Sequence, residues 1–195
     1  MKSYFKSIHP VEDQIMEEYL AHWEVVDFPK RQVLTQAGQI QKHMYFVLEG
    51  IQKSYYLNNG RDHVIAFTYP PSFSGIPESF LTQTPSKYFL ETISDSKFLR
   101  ISYDQHMELM EKYRPIETLF RKATELLLIG LVQRYYELMA YDIETRFKSF
   151  VSRSHHLLDK VPHKDLASYL RIDATNFSKL LGNVKVSELG LDQEK

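Results

Sequence analysis

The sequence predicts an α+β fold, in which an antiparallel β domain is followed by one long helix and two short helices around a sharp turn. Three observations predict it. Seven short β-rich runs, separated by turn residues, follow one another between about residues 24 and 102. No proline then interrupts the chain between Pro115 and about Tyr141. Finally, the segment VPHKDLASYLRIDATNFSKLL, residues 161–181, shows helical spacing on both sides of a polar turn.

The composition of the 195-residue chain is that of a globular protein, with 43% hydrophobic and 25% charged residues. No cysteine is present, which excludes disulfides, thiolate metal ligands, iron–sulfur clusters and a cysteine nucleophile. The start has no apolar segment of signal-peptide length, and the apolar run at 126–132, LLLIGLV, is too short to cross a bilayer. We therefore expect a cytoplasmic protein without a membrane partner.

The β-rich part is expected to form an antiparallel barrel or sandwich. Its runs extend from EVVDF at 24–28 to KFLRIS at 97–102. The segment LNNGRD, residues 57–62, lies between two of them and is a good hairpin turn, because Asn and Gly tolerate positive φ.

The long helix is expected to pack against two partners, the β domain and a second copy of the chain. Pro115 suits its first turn, and a helix reaching Tyr141 would be roughly 40 Å long. Its apolar positions cover more than one side, so one side can cover the β domain while another faces a second copy in a parallel seam. A buried helix in a monomer is the alternative. The residues predicted for the seam are Leu119, Ala123, Leu127, Gly130, Leu131 and Leu138.

The segment 161–181 has the spacing of a helix-turn-helix. Ile172 can fill the angle between the helices, and Asp173 is a sound N-cap for the second one. Apolar residues on the inner faces would hold the angle; they include Leu166, Ala167, Leu170, Phe177, Leu180, Leu181 and Val184. A helical corner without any DNA-binding role would show the same core spacing.

The charge of the chain is unevenly distributed. The whole chain has a formal net charge of −1, whereas residues 146–186 contain eight Lys or Arg and three Asp or Glu. This segment is therefore net basic by five charges and the remainder is acidic, which favours a nucleic-acid partner. Chance asymmetry on a solvated surface would give the same pattern.

Two segments together resemble the CRP/FNR family of bacterial transcription regulators. The run VLTQAGQIQKHMYFVLEGIQKSYYLNNGRDHVIAF, residues 33–67, is similar to the family's β domain through Gly38, the YFV at 45–47 and Gly50, and residues 161–181 are similar to its DNA-binding half. The resemblance implies a jelly-roll-like β-roll sensor domain of the cyclic-nucleotide-binding type at 1–112. It further implies a dimerisation helix at 113–141 and a winged helix-turn-helix at 142–195.

The ligand-binding signature of the family departs from its pattern here. Members that bind cAMP carry a Gly-Glu pair, whose Glu holds the ribose, and an Arg-Ser pair for the cyclic phosphate. Here Ile76 follows Gly75, and Ser86-Lys87 replaces Arg-Ser, so the bidentate guanidinium is lost. We therefore expect no cAMP and no other fixed cofactor, although another effector could use this region. The residues predicted for an effector pocket are Phe73, Gly75, Ile76, Glu78, Ser86, Lys87 and Tyr88.

The DNA-binding half is predicted to act in a homodimer on double-stranded DNA. Its second helix presents short polar side chains and one long cation outward, which suits a major groove. The family often has Gly where Arg171 stands, and many members read bases with Arg and Glu at the positions of Ala174 and Thr175. The residues predicted to contact DNA are Lys164, Arg171, Ala174, Thr175, Ser178, Lys179 and Lys185. RNA polymerase is a further candidate partner by resemblance.

Two other classes of function remain open from the sequence. One is a ligand-sensing regulatory module that does not bind DNA. The other is a cupin-type metal enzyme, although His43 and His63 are isolated and the adjacent His155 and His156 would point to different faces of a helix. No G-x-S-x-G, P-loop or H-E-x-x-H motif occurs, so we expect no enzymatic activity.

Overall fold

Two units make up the chain in the computed structural model, which describes residues 1–183. The first comprises Met1–Leu57 and Ile65–Ile129, and the second comprises Asn58–Val64 and the chain from Gly130 onward. The boundary at 129–130 lies inside the long helix α5, Arg114–Ala140. The predicted three-part division at residues 112 and 141 stays a prediction. No helix among the described residues is long and apolar enough to span a membrane.

Within residues 1–183, eight strands form two four-stranded antiparallel sheets, with the strand orders β1-β8-β3-β6 and β2-β7-β4-β5. Seven of the strands lie where the β-rich runs predicted them. The strands are β1 Glu24–Phe28, β2 Val33–Thr35, β3 His43–Glu49, β4 Gln52–Asn58, β5 Arg61–Thr68, β6 Ser72–Ser74, β7 Phe89–Thr92 and β8 Ser96–Ser102. The sequence did not predict β6 or the short helix α3, Pro77–Thr82, because both lie in a run rich in Pro and Ser.

A small apolar cluster fills the space between the two sheets. It contains Tyr45 and Val47 of β3, Leu90 of β7, Phe98 of β8 and Ile76, which precedes α3. Alternate residues of β3 face opposite sides of its sheet, since Phe46 belongs to a different cluster. The first sheet therefore has two buried faces.

The second face of that sheet is covered by helices. These are α1 Lys2–Ile8, α2 Asp13–Ala21, α4 Tyr103–Lys112 and the first turns of α5. Aromatic rings dominate the cluster, where Phe5 stacks on Phe73 with 5.6 Å between centroids and Phe120 lies 5.5 Å from Phe73. Helices α1 and α2 are separated by residues 9–12, which include Pro10.

The second unit is helical apart from the tip of the β4–β5 hairpin. After α5 it contains α6 Ile143–Ser154, a short 3-10 helix His155–Leu157, α7 His163–Leu170 and α8 Ala174–Asn183. Its core includes Phe147 and Phe177, whose rings meet edge to face at 5.6 Å. In the same unit the Ser168 hydroxyl donates to the Asp62 carbonyl (3.1 Å) and accepts from the Val64 amide (3.0 Å). The predicted wing, after residue 183, lies outside the described residues.

Candidate functional site

The turn between α7 and α8 is fixed by backbone hydrogen bonds. Arg171 adopts the left-handed conformation with φ of 53°, a position where Gly would avoid a cost of roughly 1–2 kcal/mol. The amide of Ile172 donates to the Ala167 carbonyl at 3.0 Å, and the Ile172 side chain is 5% exposed. Ile172 is therefore buried where the two helices meet, as its position in the sequence predicted.

Asp173 caps α8. Its carboxylate accepts the Asn176 backbone amide at 2.9 Å and also the Asn176 side-chain amide at 2.5 Å. These bonds to the charged form, with the backbone bond foremost, lower the pKa of Asp173 below its ordinary value. The cap orients the first turn of α8, where Ala174 and Thr175 lie.

The outer face of α8 brings together four of the residues predicted to contact DNA. Ala174, Thr175, Ser178 and Lys179 are all exposed. The Ser178 hydroxyl donates to the Ala174 carbonyl at 2.9 Å, so its oxygen faces solvent mainly as an acceptor. Lys164 of α7 and Arg171 of the turn are exposed as well, whereas Lys185 lies outside the described residues.

The last turns of α5 are tied to α6 and α7 by charged side chains. Arg153 of α6 binds both carboxylate oxygens of Glu137, whose side chain is 2% exposed, and Gln133 donates to the same carboxylate at 3.2 Å. The hydrogen bonds from Arg153 lower the pKa of Glu137 and raise that of Arg153. This pair could not be predicted from the sequence, because the two residues are sixteen positions apart on different helices.

Arg134 links α5 to α7. Its guanidinium lies over the ring of Tyr169, 3.8 Å from the centroid, and donates to the Tyr169 carbonyl. In the sequence Arg134 is a polar break in an apolar pattern. The structure shows that this side of α5 faces α6 and α7 and is not open to a second copy.

The exposed apolar face of α5 differs from the predicted seam. Leu119 is 1% exposed and belongs to the core of the first unit, so it cannot lie in an intermolecular seam. Ala123 and Leu138 are half-buried, while Leu127, Gly130 and Leu131 are exposed. The predicted positions lean toward the side of α5 that bears Arg134 and Glu137, and part of that side is covered. Large exposed side chains follow the spacing i, i+3, i+4, i+7, i+11, and this set shares Leu131 with the predicted seam. We call it the α5 stripe: Leu128, Leu131, Val132, Tyr135 and Met139.

The predicted effector pocket is divided between two places in the fold. Phe73 packs against the rings of Phe5 and Phe120, on the face of the first sheet that the helices cover. It therefore does not line a pocket between the sheets. Ile76 is 2% exposed between the sheets, and Tyr88 lies beside it in the same cluster. Glu78 and Lys87, the charged residues of the set, are exposed.

Several backbone amides of residues 75–88 donate hydrogen bonds within the chain. We call this segment the ligand loop, since it corresponds by resemblance to the nucleotide-binding run. The Ile76 amide donates to Gln41 Oε1 at 2.7 Å, and the Ser86 amide donates to the Gln39 carbonyl at 2.8 Å. The Ser86 hydroxyl donates to the Tyr88 carbonyl and accepts from the Tyr88 amide, both at 2.9 Å. The amides of Ile76, Ser86 and Tyr88 are therefore already paired within the chain.

The placement of His, Asp and Glu side chains in residues 1–183 bears on the metal-site alternative. No group of three His, Asp or Glu side chains is placed there to hold a metal ion.

Residues 25–113 match the family model of the cyclic nucleotide-binding domain. No curated protein sequence matches the chain. The fold of the chain is that of CRP/FNR-type regulators, as comparisons with solved structures show. FixK2 from Bradyrhizobium japonicum is 16% identical with a TM-score of 0.72, and the match covers 86% of each chain.

Two further structures extend the match along the chain. The c-di-GMP-responsive global regulator CLP of Xanthomonas campestris is 17% identical with a TM-score of 0.62, and 93% of each chain is covered. The catabolite activator protein of Thermus thermophilus is 16% identical with a TM-score of 0.57, and the match covers 96% of this chain and 89% of that one. At these identities the likeness concerns the fold alone.

Proposed function

We propose that the protein is a sequence-specific DNA-binding transcription regulator that acts as a homodimer and whose β domain does not respond to cAMP. The observation that carries the proposal is the exposed face of α8 on a pair of helices held at a fixed angle. The Asp173 cap, the buried Ile172 and the Phe147–Phe177 contact hold that angle. The similarity of the whole fold to regulators supports it.

The α8 face offers distinct roles for three of its side chains. Lys179 supplies a charge for a phosphate or for guanine acceptors. Ser178, whose proton is used inside the helix, suits a base amino group. Ala174 suits the methyl group of thymine.

Dimerisation through the α5 stripe would place two α8 helices on one duplex. In regulators of this helix-turn-helix type, half-sites lie about one helical turn, ~34 Å, apart. The stripe is exposed in the single chain, with Leu128 60%, Tyr135 67% and Met139 71% accessible. A row of large apolar side chains at helical spacing is a surface that a second copy of the same helix can cover.

Fluorescence anisotropy with a duplex from the chain's own upstream region tests DNA binding. The affinity should fall steeply between about 50 and 200 mM salt, because phosphate contacts release counterions. Lys179→Ala should weaken binding and reduce the salt slope by about 1. Lys30→Ala removes the same charge from an exposed position in the first unit and serves as the control. If the protein did not bind the duplex even at low salt, the proposal of DNA binding would be refuted. A protein that forms dimers but does not bind DNA would favour the alternative of a ligand-sensing module.

Sedimentation equilibrium tests the dimer separately from DNA. Leu128→Glu places a charge in the α5 stripe and should shift the protein toward monomer. Leu126→Glu makes the same change at a residue that is 56% exposed but half a turn away on α5, and it should leave the dimer intact. Equal effects of the two substitutions would contradict the stripe as the interface.

A further inference from the structure

The side chain of Gln41 lies inside the ligand loop, and its contacts differ from those of an ordinary surface glutamine. Gln41 is 3% exposed and is preceded by a polar segment that is mostly exposed. Its Oε1 accepts the Ile76 amide at 2.7 Å, and its Nε2 donates to the His43 carbonyl at 3.0 Å. Both ends of the amide are therefore satisfied within the protein.

The backbone of Gln41 is held just as closely. Its amide donates to Ser79 Oγ at 3.0 Å, and its carbonyl accepts from Gln83 Nε2 at 3.2 Å. Ser79 lies in α3, and Gln83 is the C-cap residue of this helix. The loop thus surrounds Gln41 from Ile76 to Gln83, which leaves this side chain little freedom to move away.

Gly75 gives a second, independent sign that the amide occupies the loop. A Cβ at residue 75 would collide with Gln41 Nε2, so a glycine at this position leaves the space that the amide fills. Two backbone hydrogen bonds also join residues 36–41 to the ligand loop. The Gly38 amide donates to the Ser86 carbonyl at 2.7 Å, and the Ser86 amide donates to the Gln39 carbonyl at 2.8 Å.

We propose that Gln41 is a built-in occupant of the ligand loop, which holds the loop in one ordered conformation and excludes the phosphate of a cyclic nucleotide. The oxygen of its amide accepts the Ile76 hydrogen bond that an anion would otherwise accept. A nucleotide would have to displace a buried amide and leave at least two polar groups without partners. The proposal deepens the effector part of the proposed function, and the β domain then acts without a small molecule at this position.

The first test is ligand binding to the wild-type full-length chain, followed by thermal denaturation and calorimetry. With cAMP, cGMP or inorganic phosphate at about 1 mM, the melting temperature should not change, because a ligand that binds only the folded state must raise it. Saturable binding of cAMP to the wild-type protein would overturn the proposal. Neither measurement involves DNA, so this outcome is distinct from a failure of DNA binding.

The second test is hydrogen exchange at the Ile76 amide in two variants. Gln41→Met keeps most of the volume but removes the acceptor, and exchange at Ile76 should become at least about tenfold faster. Gln41→Glu keeps an acceptor for the Ile76 amide and should retain more of its protection than Gln41→Met. Unchanged exchange in Gln41→Met, measured in protein whose Trp23 fluorescence is native, would overturn the proposal.

Discussion

A buried histidine should make the first unit sensitive to acid. His106 of α4 is 3% exposed, and its Nδ1 lies 3.0 Å from the hydroxyl of Tyr19. The ring of Phe120 meets it edge to face at 4.5 Å. Burial among these rings lowers the pKa of His106 from 6.5 to about 4, because the charged form loses its hydration there. Burial also raises the pKa of Tyr19 well above 10, so its hydroxyl stays protonated and can donate to the neutral imidazole.

The size of the effect follows from the two pKa values of His106. Between pH 6.5 and about pH 4 the unfolded chain binds a proton at His106 that the folded chain does not. The free energy of unfolding therefore falls as the pH falls, by about 1.4 kcal/mol per pH unit. The full stability contribution is present above pH 6.5, and about 3 kcal/mol of it is lost once the pH is below about 4.

Urea unfolding followed through Trp23 fluorescence measures this dependence. Trp23 is the only tryptophan and belongs to the same buried cluster as Tyr19. His106→Gln removes the titrating group, so its curve of unfolding free energy against pH should be shallower over this range. Contributions from groups that the two proteins share cancel in the difference. Parallel curves for the two proteins would refute the reasoning.

Three further outcomes are expected in the second unit. Glu137→Gln should destabilise it by about 1–3 kcal/mol in urea unfolding, because a buried carboxylate bound by Arg153 is lost, whereas Glu144→Gln should change little at an exposed pair. Asp173→Ala should speed exchange at the Asn176 amide and weaken DNA binding, and Asp173→Ser should restore much of both; equal behaviour of the two variants would count against the cap. Phe177→Ala should cost about 3–5 kcal/mol in unfolding free energy, since this ring is 1% exposed, and a loss below about 1 kcal/mol would show that the core closes around the gap.

Short strands and helices with strong local signals could be predicted from the sequence. The run EVVDF became β1 with the same bounds, and Asp173 caps α8 as its position before Ala174 suggested. Such features depend on residues within a few positions of one another. Strand β6 and helix α3 lacked such a signal, because Pro and Ser interrupt any apolar period between residues 70 and 79.

Features that depend on distant residues could not be predicted in this way. The side of α5 open to a partner depends on what Arg134 and Glu137 meet on α6 and α7, and the sequence shows only that they are polar. Leu119 and Leu128 look alike in the sequence, yet one is in a core and the other is exposed. Gln41 lies thirty-five positions from Ile76, so its place in the ligand loop is a property of the fold.

Gln41 and Gly75 constrain the order in which the ligand loop could change during evolution. A Cβ at residue 75 would collide with Gln41 Nε2, and Gly75 has a φ of 158°, which L side chains rarely adopt. A shorter residue 41 would remove that collision, whereas a change at residue 75 alone would push the Gln41 amide out of its hydrogen bonds to Ile76 and His43. A lineage that began from this chain could therefore alter residue 41 first and residue 75 afterwards more readily than in the reverse order. Among descendants of this protein, a substitution at residue 75 should accompany a small residue at 41.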